Sequence, residues 1–192
     1  MYSIFLNFCL GFFASFLAWW IVSNGIVPHV RFGGLIKQVR EGKQPLYRVH
    51  IQNNDPFFDV VDINLSGRVK IKGLNPDSPK EVTPYRLLIG FEDPAYIHHS
   101  GKGDNYWQPT IRIPNKSDLN VKYCKKINKD PKDYRITIGQ LQEFDSNLII
   151  SIEISIECSH KFSGARKIFT KEYSLDDIKN AKEIIKNPII IQ

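Results

Sequence analysis

The chain has 192 residues, of which 42% are hydrophobic and 24% charged, a composition typical of a globular domain that excludes a disordered chain. Its net charge of +6 comes mainly from lysines spread along the sequence, which indicates solubility rather than nucleic-acid binding. The three cysteines show no C-x-x-C spacing, so we expect neither a disulfide framework nor a zinc or other metal site. Free thiols fit a reducing compartment.

An uncharged apolar segment runs from Ile4 to Val27. As a helix it would be about 36 Å long, enough to cross a hydrocarbon core of about 30 Å. Tryptophans near its C-terminal end match an aromatic belt, and no basic residue precedes it, which favours a retained anchor (residues 1–28) over a cleaved signal peptide. Small residues on neighbouring positions predict homo-oligomerisation through this helix. They are Gly11, Ala14, Ser15 and Ala18.

Basic residues follow the apolar segment and none precedes it. By the positive-inside rule, this asymmetry places the C-terminal domain in the cytoplasm, at the cell membrane. Residues 29–45 are interpreted as a basic juxtamembrane linker, either a solvated connector or a short amphipathic segment on the bilayer surface. In the second case, four basic side chains would contact anionic lipid head groups. These are Arg31, Lys37, Arg40 and Lys43.

Residues 46–192 show the pattern of a β domain. Alternating segments predict strands over 46–52 and 57–73, and shorter ones over 85–91, 109–113 and 133–139. The most regular alternation covers 148–159, with 165–173 returning as its hairpin partner. Ser174 has the features of an N-cap for one short late helix. The fold class is therefore mainly β: one N-terminal helix, then an antiparallel β-sandwich or barrel over 46–192.

The best candidate for a site is "GFEDPAYIHHSGKGDNYWQP", residues 90–109. Adjacent histidines on a strand point to opposite faces, so we expect no metal ligation here, and no catalytic residue or cofactor is assigned. A ligand-binding loop would use aromatic rings for stacking, a lysine for charge and glycines for backbone amides. Its candidate residues are His98, His99, Lys102, Asp104, Tyr106 and Trp107. Phe57 and Phe58 are expected in the core, and His160 as a structural histidine.

Two segments resemble a known family. "PLYRVHIQNNDPFFDVVDINLSGRVKI" and "IISIEISIECSHKFSGARKIFTKEYSLDDI" are similar to the opening and late hairpins of the cytoplasmic domain of inward-rectifier potassium channels. The resemblance implies an immunoglobulin-like sandwich just below the membrane, with a basic surface for anionic lipid. The sequence contains no second transmembrane segment, pore helix or Thr-x-Gly-Tyr-Gly filter, which excludes a potassium-selective channel. The overall plan also resembles membrane-anchored β-barrel anti-phage effectors, which sense a nucleotide signal and damage the membrane.

These observations predict a non-enzymatic, single-pass membrane protein in contact with membrane lipid. Its cytoplasmic β domain would bind a small-molecule or nucleotide ligand or a partner, without binding nucleic acid, and would oligomerise, as in bacterial defence or signalling. Three alternatives stay open: a membrane-tethered enzyme using the His98–His99 loop, an accessory subunit of a membrane transport complex, and a periplasmic domain on a signal anchor.

Overall fold

The computed structural model describes residues 2–41, 44–75, 77–90, 96–103, 105–141 and 148–178. One long helix precedes a β domain whose strands are named in chain order. The elements are α1 (Tyr2–Gly25), β1 (Val30–Glu41), β2 (Gln44–Asn53), β3 (Val60–Lys72), β4 (Val82–Arg86), β5 (Leu88–Gly90), β6 (Tyr96–Ile97), β7 (Tyr106–Trp107), β8 (Thr110–Arg112), α2 (Asp118–Lys126), a 3₁₀ turn (Ile138–Gln140), β9 (Ile149–His160) and β10 (Arg166–Ser174).

Helix α1 is apolar on all its faces. Its segment Phe5–Val22 has a mean hydropathy of 1.9 and is long and apolar enough to cross a membrane. None of that segment is buried against the β domain. A helix that is apolar all round and uncovered by protein is stable in a lipid environment, where its backbone bonds are satisfied internally. The sequence prediction of one N-terminal helix of this kind is confirmed.

The β domain consists of two antiparallel sheets, which confirms the predicted sandwich-like, mainly β fold. The first sheet has the order β1-β2-β8-β5, with β7 also pairing with β2. The second has the order β10-β9-β3-β4, with β6 also pairing with β3. Strand β9 alternates as predicted, and its inward side chains form the centre of the core. These are Ile150, Ile152, Ile154, Ile156 and Cys158.

The two sheets are joined at both edges. At one edge the chain passes from β4 in the second sheet to β5 in the first, so the single strand predicted over 85–91 is divided. The division occurs at Leu87, whose side chain is buried and whose N–H donates to Gly67 O at 2.8 Å. At the other edge, Tyr173 Oη on β10 donates to Gly33 O on β1 at 3.0 Å.

The basic segment predicted as a linker over 29–45 is instead mostly strand β1, and the prediction is wrong there. A register shift between Phe32 and Ile36 interrupts the alternation, so the strand pattern was not evident in the sequence. Within the bulge, a Cβ on Gly33 would lie only 2.9 Å from His50 Cβ. Glycine therefore permits the close approach of β1 to β2.

Two further predictions need correction or limits. Residues 133–139 do not form a strand, because the Ile136 N–H donates to the buried side chain of Asn120 at 2.9 Å and a 3₁₀ turn follows. The late helix begins as predicted: Ser174 Oγ accepts the Asp177 N–H at 3.3 Å, and residues 175–178 are helical. The rest of that helix lies outside the described residues.

Candidate functional site

One end of the sandwich adjoins the exit of α1. Val30 pairs with Asn53, and the Asn54 N–H donates to His29 O at 2.7 Å. Strand pairing brings the ends of β3, β6, β9 and β10 to the same place. We call this the helix-proximal end. It comprises residues 26–31, 52–62, 96–103, 105–106 and 159–166.

Buried polar side chains organise the loop between β2 and β3. Asn53 Nδ2 donates to Phe58 O at 2.9 Å and to Ile97 O at 3.2 Å, while its Oδ1 accepts the Asp55 N–H at 2.9 Å. Asp55 Oδ1 in turn accepts the N–H groups of Phe57 and Phe58 at 2.8 and 2.9 Å. The loop is thus fixed by side-chain acceptors, as is usual for buried backbone outside a sheet.

A histidine joins this loop to the β9–β10 hairpin and to the helix exit. His160 is fully buried, and its Nε2 lies 3.4 Å from Asp55 Oδ2, an approach not aligned for a hydrogen bond. Its Nδ1 accepts the Ser163 N–H at 3.2 Å, so the ring proton lies on Nε2, facing the carboxylate. Ser163 Oγ donates to Ile26 O. The prediction of a structural His160 is confirmed.

Asp59 is the second carboxylate of the helix-proximal end. Its Oδ2 accepts from Lys161 Nζ at 3.1 Å, and its Oδ1 accepts the His99 N–H at 3.1 Å and lies 3.4 Å from His98 Nδ1. Burial, the largest single influence, raises the pKa of Asp59. The bonds from Lys161, the His99 backbone and His98 together outweigh it, so the pKa is lowered from its ordinary value of 3.8.

An open cavity of about 440 Å³ lies above these carboxylates. It combines aromatic rings with basic side chains around one buried carboxylate. Its described lining is Phe57, Phe58, Asp59, His99, Lys102, Lys161 and Phe162. Phe57 and Phe162 are each 74% exposed, and Phe58 stacks on Phe162 with ring centroids 5.3 Å apart. The expectation that Phe57 belongs to the core is wrong, because the bonds to Asp55 turn its loop outward.

The structure brings together three of the six candidate ligand-binding residues, His98, His99 and Lys102. Tyr106 lies apart, stacked on His50 at a centroid distance of 5.3 Å. Trp107 is buried in the core, on the strand opposite Ile51. Asp104 lies outside the described residues. The candidate loop therefore contributes one wall of a cavity rather than a complete site.

The four predicted lipid contacts are also separated. Arg31 is exposed within the helix-proximal end. Lys37 is exposed further along β1, and Arg40 pairs with Pro45 at the far end of the β1–β2 hairpin. Because a strand advances about 3.3 Å per residue, Arg40 lies about 30 Å along β1 from Arg31. Lys43 lies outside the described residues.

Most residues of the cavity come from segments distant in sequence, which explains why sequence reasoning missed them. Asp59 and Lys161 are 102 residues apart. The pairing of β3 with β9 that joins them depends on the register of two long strands, which the sequence pattern did not specify. A usable signal was present in "NNDPFFD" and "SHKFSG", two turns that each expose phenylalanine next to polar residues.

Two chemical arrangements were examined for catalysis. Within the described residues, no group of three or more His, Cys, Asp or Glu side chains could hold a metal ion. Ser163, His160 and Asp55 form a chain in which Ser163 Oγ lies 3.1 Å from His160 Nδ1. In that chain the hydroxyl proton of Ser163 is directed to Ile26 O.

Comparison with known proteins adds no relative: no protein-family model matches this chain, and no curated protein matches it.

Proposed function

We propose that this chain is a single-pass membrane protein whose cytoplasmic β-sandwich is a non-enzymatic binding module. Its binding site is the cavity of the helix-proximal end. The observation that carries the proposal is the shared location of cavity and helix exit. Only residues 26–29 separate α1 from β1, a span of at most about 17 Å, and Ser163 Oγ bonds to Ile26 O. A bound ligand would lie next to the membrane surface.

The lining of the cavity indicates the chemistry of the ligand. Lys102 and Lys161 supply positive charge, and Asp59 offsets only part of it. The rings of Phe57 and Phe162 supply apolar surface that water does not favour. An anionic ligand with an adjoining apolar part fits this combination.

Membrane anchoring is tested by extraction of cell membranes with alkaline carbonate. We expect the full chain to stay in the pellet, because an inserted apolar helix of this length resists extraction. A matched variant, Leu10→Arg with Phe13→Arg, places two charges in the middle of α1 and is expected to release the protein. Complete release of the unmodified chain would contradict the proposal.

Cytoplasmic orientation is tested with Ser78→Cys, an exposed position far from the helix. An impermeant maleimide should label this cysteine only after the cells are permeabilised. The unmodified chain serves as the control, since Cys124 and Cys158 are buried and burial raises the pKa of Cys158 to about 12. Labelling of Ser78→Cys in intact cells would instead support the periplasmic alternative.

A membrane-tethered hydrolase is the second candidate, and the Ser163–His160–Asp55 chain is the observation that favours it. A fluorophosphonate probe applied to the full chain in detergent separates the two functions. The binding module predicts no labelling. Labelling that disappears in Ser163→Ala would establish a nucleophilic serine.

A further inference from the structure

Exposed aromatic side chains are confined to one end of the sandwich. In the described part of the chain outside α1, all of them lie within the helix-proximal end. They are Phe57, Tyr96, Tyr106 and Phe162. Exposed large aliphatic side chains lie on other segments. They are Val82, Leu88, Ile127, Ile149 and Ile168. Aromatic residues with one apolar and one wet side are characteristic of membrane interfaces.

The same end carries an excess of positive charge. Among its described residues, four exposed side chains are basic and one, Asp62, is acidic. The basic residues are Arg31, Lys102, Lys161 and Arg166. Lys161 is shared with Asp59, so Lys102 and Arg166 are the better tests of charge. Exposed lysines and arginines near a membrane are attracted to anionic lipid.

The exposure of the phenylalanine rings belongs to braced loops. Asp55 accepts the Phe57 N–H, and His160 accepts the Ser163 N–H beside Phe162. Phe58 packs between them, 4.8 Å from the His160 ring and 5.3 Å from that of Phe162. The two rings are therefore presented outward in fixed positions, which lowers the conformational cost of binding a surface.

We propose that the helix-proximal end docks onto the anionic phospholipid bilayer that holds α1. Phe57 and Phe162 enter the interfacial layer, Tyr96 and Tyr106 border it, and the cavity receives a lipid phosphate beside Lys102. This inference rests on the anchoring proposed above, and it names the ligand of the cavity as an anionic lipid head group. It also commits to the bilayer as occupant, because the short connection 26–29 holds this end beside the membrane.

Photo-crosslinking of the full chain in nanodiscs tests the docking. We replace Phe162 by p-benzoylphenylalanine, irradiate, and detect lipid adducts by mass spectrometry. The same replacement at Ile149, exposed at the opposite end of β9, is the matched control, and replacement at Phe13 reports α1. We expect lipid adducts at positions 13 and 162 and none at 149.

The outcomes separate the two proposals. If position 13 gives no lipid adduct, anchoring fails and docking with it. If position 13 gives adducts but position 162 gives none, or gives only adducts to another protein, docking alone is overturned. Equal yields at 162 and 149 also overturn it, since nonspecific contact would then explain both.

The charge of the lipid is tested in nanodiscs of phosphatidylcholine with and without phosphatidylglycerol. Phosphatidylglycerol should raise the adduct yield at position 162. Lys102→Glu with Arg166→Glu should lower that yield about tenfold in anionic nanodiscs. The control, Lys80→Glu with Lys129→Glu, makes the same change of net charge at exposed positions elsewhere. An equal loss in both pairs would overturn the role of the basic residues at the helix-proximal end.

Discussion

Two regions at opposite ends of the sandwich are braced in the same way but present different surfaces. At the helix-proximal end, the buried amide of Asn53 bonds to Phe58 O and Ile97 O. At the opposite end, beside α2, the buried amide of Asn120 bonds to Asn115 O and Tyr134 O. In both places an asparagine satisfies irregular backbone that no strand partner reaches.

The surfaces above the two asparagines differ. Residues 125–133, which follow Asn120, are exposed for most of their length and contain charged side chains of both signs, as expected where a domain faces water. The loops above Asn53 expose phenylalanine and tyrosine instead. Since folding required the same bracing at both ends, the aromatic surface is not explained by folding. We attribute it to contact with the membrane.

The largest effect is expected from Asp55→Ala. This change removes the acceptor of two N–H groups and leaves His160 buried without its carboxylate, so the free energy of unfolding should fall by about 3 kcal/mol. Urea unfolding of the full chain in detergent measures it. Asp77→Ala, in an exposed turn of the opposite end, should change it by less than about 0.5 kcal/mol. Similar losses in both variants would contradict the assigned role of Asp55.

Asn53→Ala and Asn120→Ala compare the two braces directly. Each leaves buried backbone groups unpaired, so each should cost about 2 kcal/mol. Only Asn53→Ala should also reduce lipid adducts at position 162, because only Asn53 holds the loops with exposed aromatic rings. The same reduction in Asn120→Ala would mean that general destabilisation, rather than loop position, controls docking.

Tyr173→Phe removes the hydrogen bond that joins β10 to Gly33 on β1. The expected loss is about 1 kcal/mol, the net contribution of one such bond. Tyr96→Phe, at an exposed ring, is the control and should leave the unfolding midpoint unchanged. An unchanged midpoint in both variants would show that this contact does not stabilise the closure of the sandwich.

The pH dependence of stability tests the environment of Asp59. Its pKa is lower in the folded protein than the ordinary 3.8, so its contribution is complete above that value and is lost as the pH falls through the folded pKa. Asp59→Asn should therefore weaken the acid destabilisation below about pH 4. An unchanged acid limb would place the carboxylate outside this network.

The smallest effect on stability is expected from Phe162→Ser. Because the ring is 74% exposed, the free energy of unfolding should change by no more than about 0.5 kcal/mol. The rigid position of the domain against the bilayer should nevertheless be lost, as measured by accessibility of a spin label at Phe57→Cys. A stable variant whose label keeps its accessibility would weaken the comparison between the two ends.

Sequence alone predicted the elements whose periodicity is long and unbroken. Helix α1 and strand β9 were evident because about twenty apolar residues, or a strict alternation, admit one interpretation. Strand β1 was missed since a bulge at Gly33 breaks its alternation and its basic residues suggested a linker. Helix α2 was missed within a charge-rich segment, although Ser117 caps it and Leu119 and Tyr123 share its buried face.

The candidate site was predicted only in part, for a topological reason. His98, His99 and Lys102 are near one another in sequence, and a local motif found them. Their partners Asp59 and Lys161 join them only through the pairing of β3 with β6 and β9. The exposure of Phe57 depends on side-chain acceptors within its loop, which hydrophobicity patterns do not record.

The most direct test of the central claim measures the depth of two labels in the full chain, in a Cys9→Ser background in anionic nanodiscs. Nitroxides on Phe57→Cys and Ser78→Cys report the helix-proximal end and a distant turn. Relaxation by oxygen and by a water-soluble nickel complex gives the immersion of each. The account predicts that the label at position 57 is protected from nickel and accessible to oxygen, while the label at 78 shows the reverse. Equal access of nickel to both labels would contradict the docking of this end on the membrane.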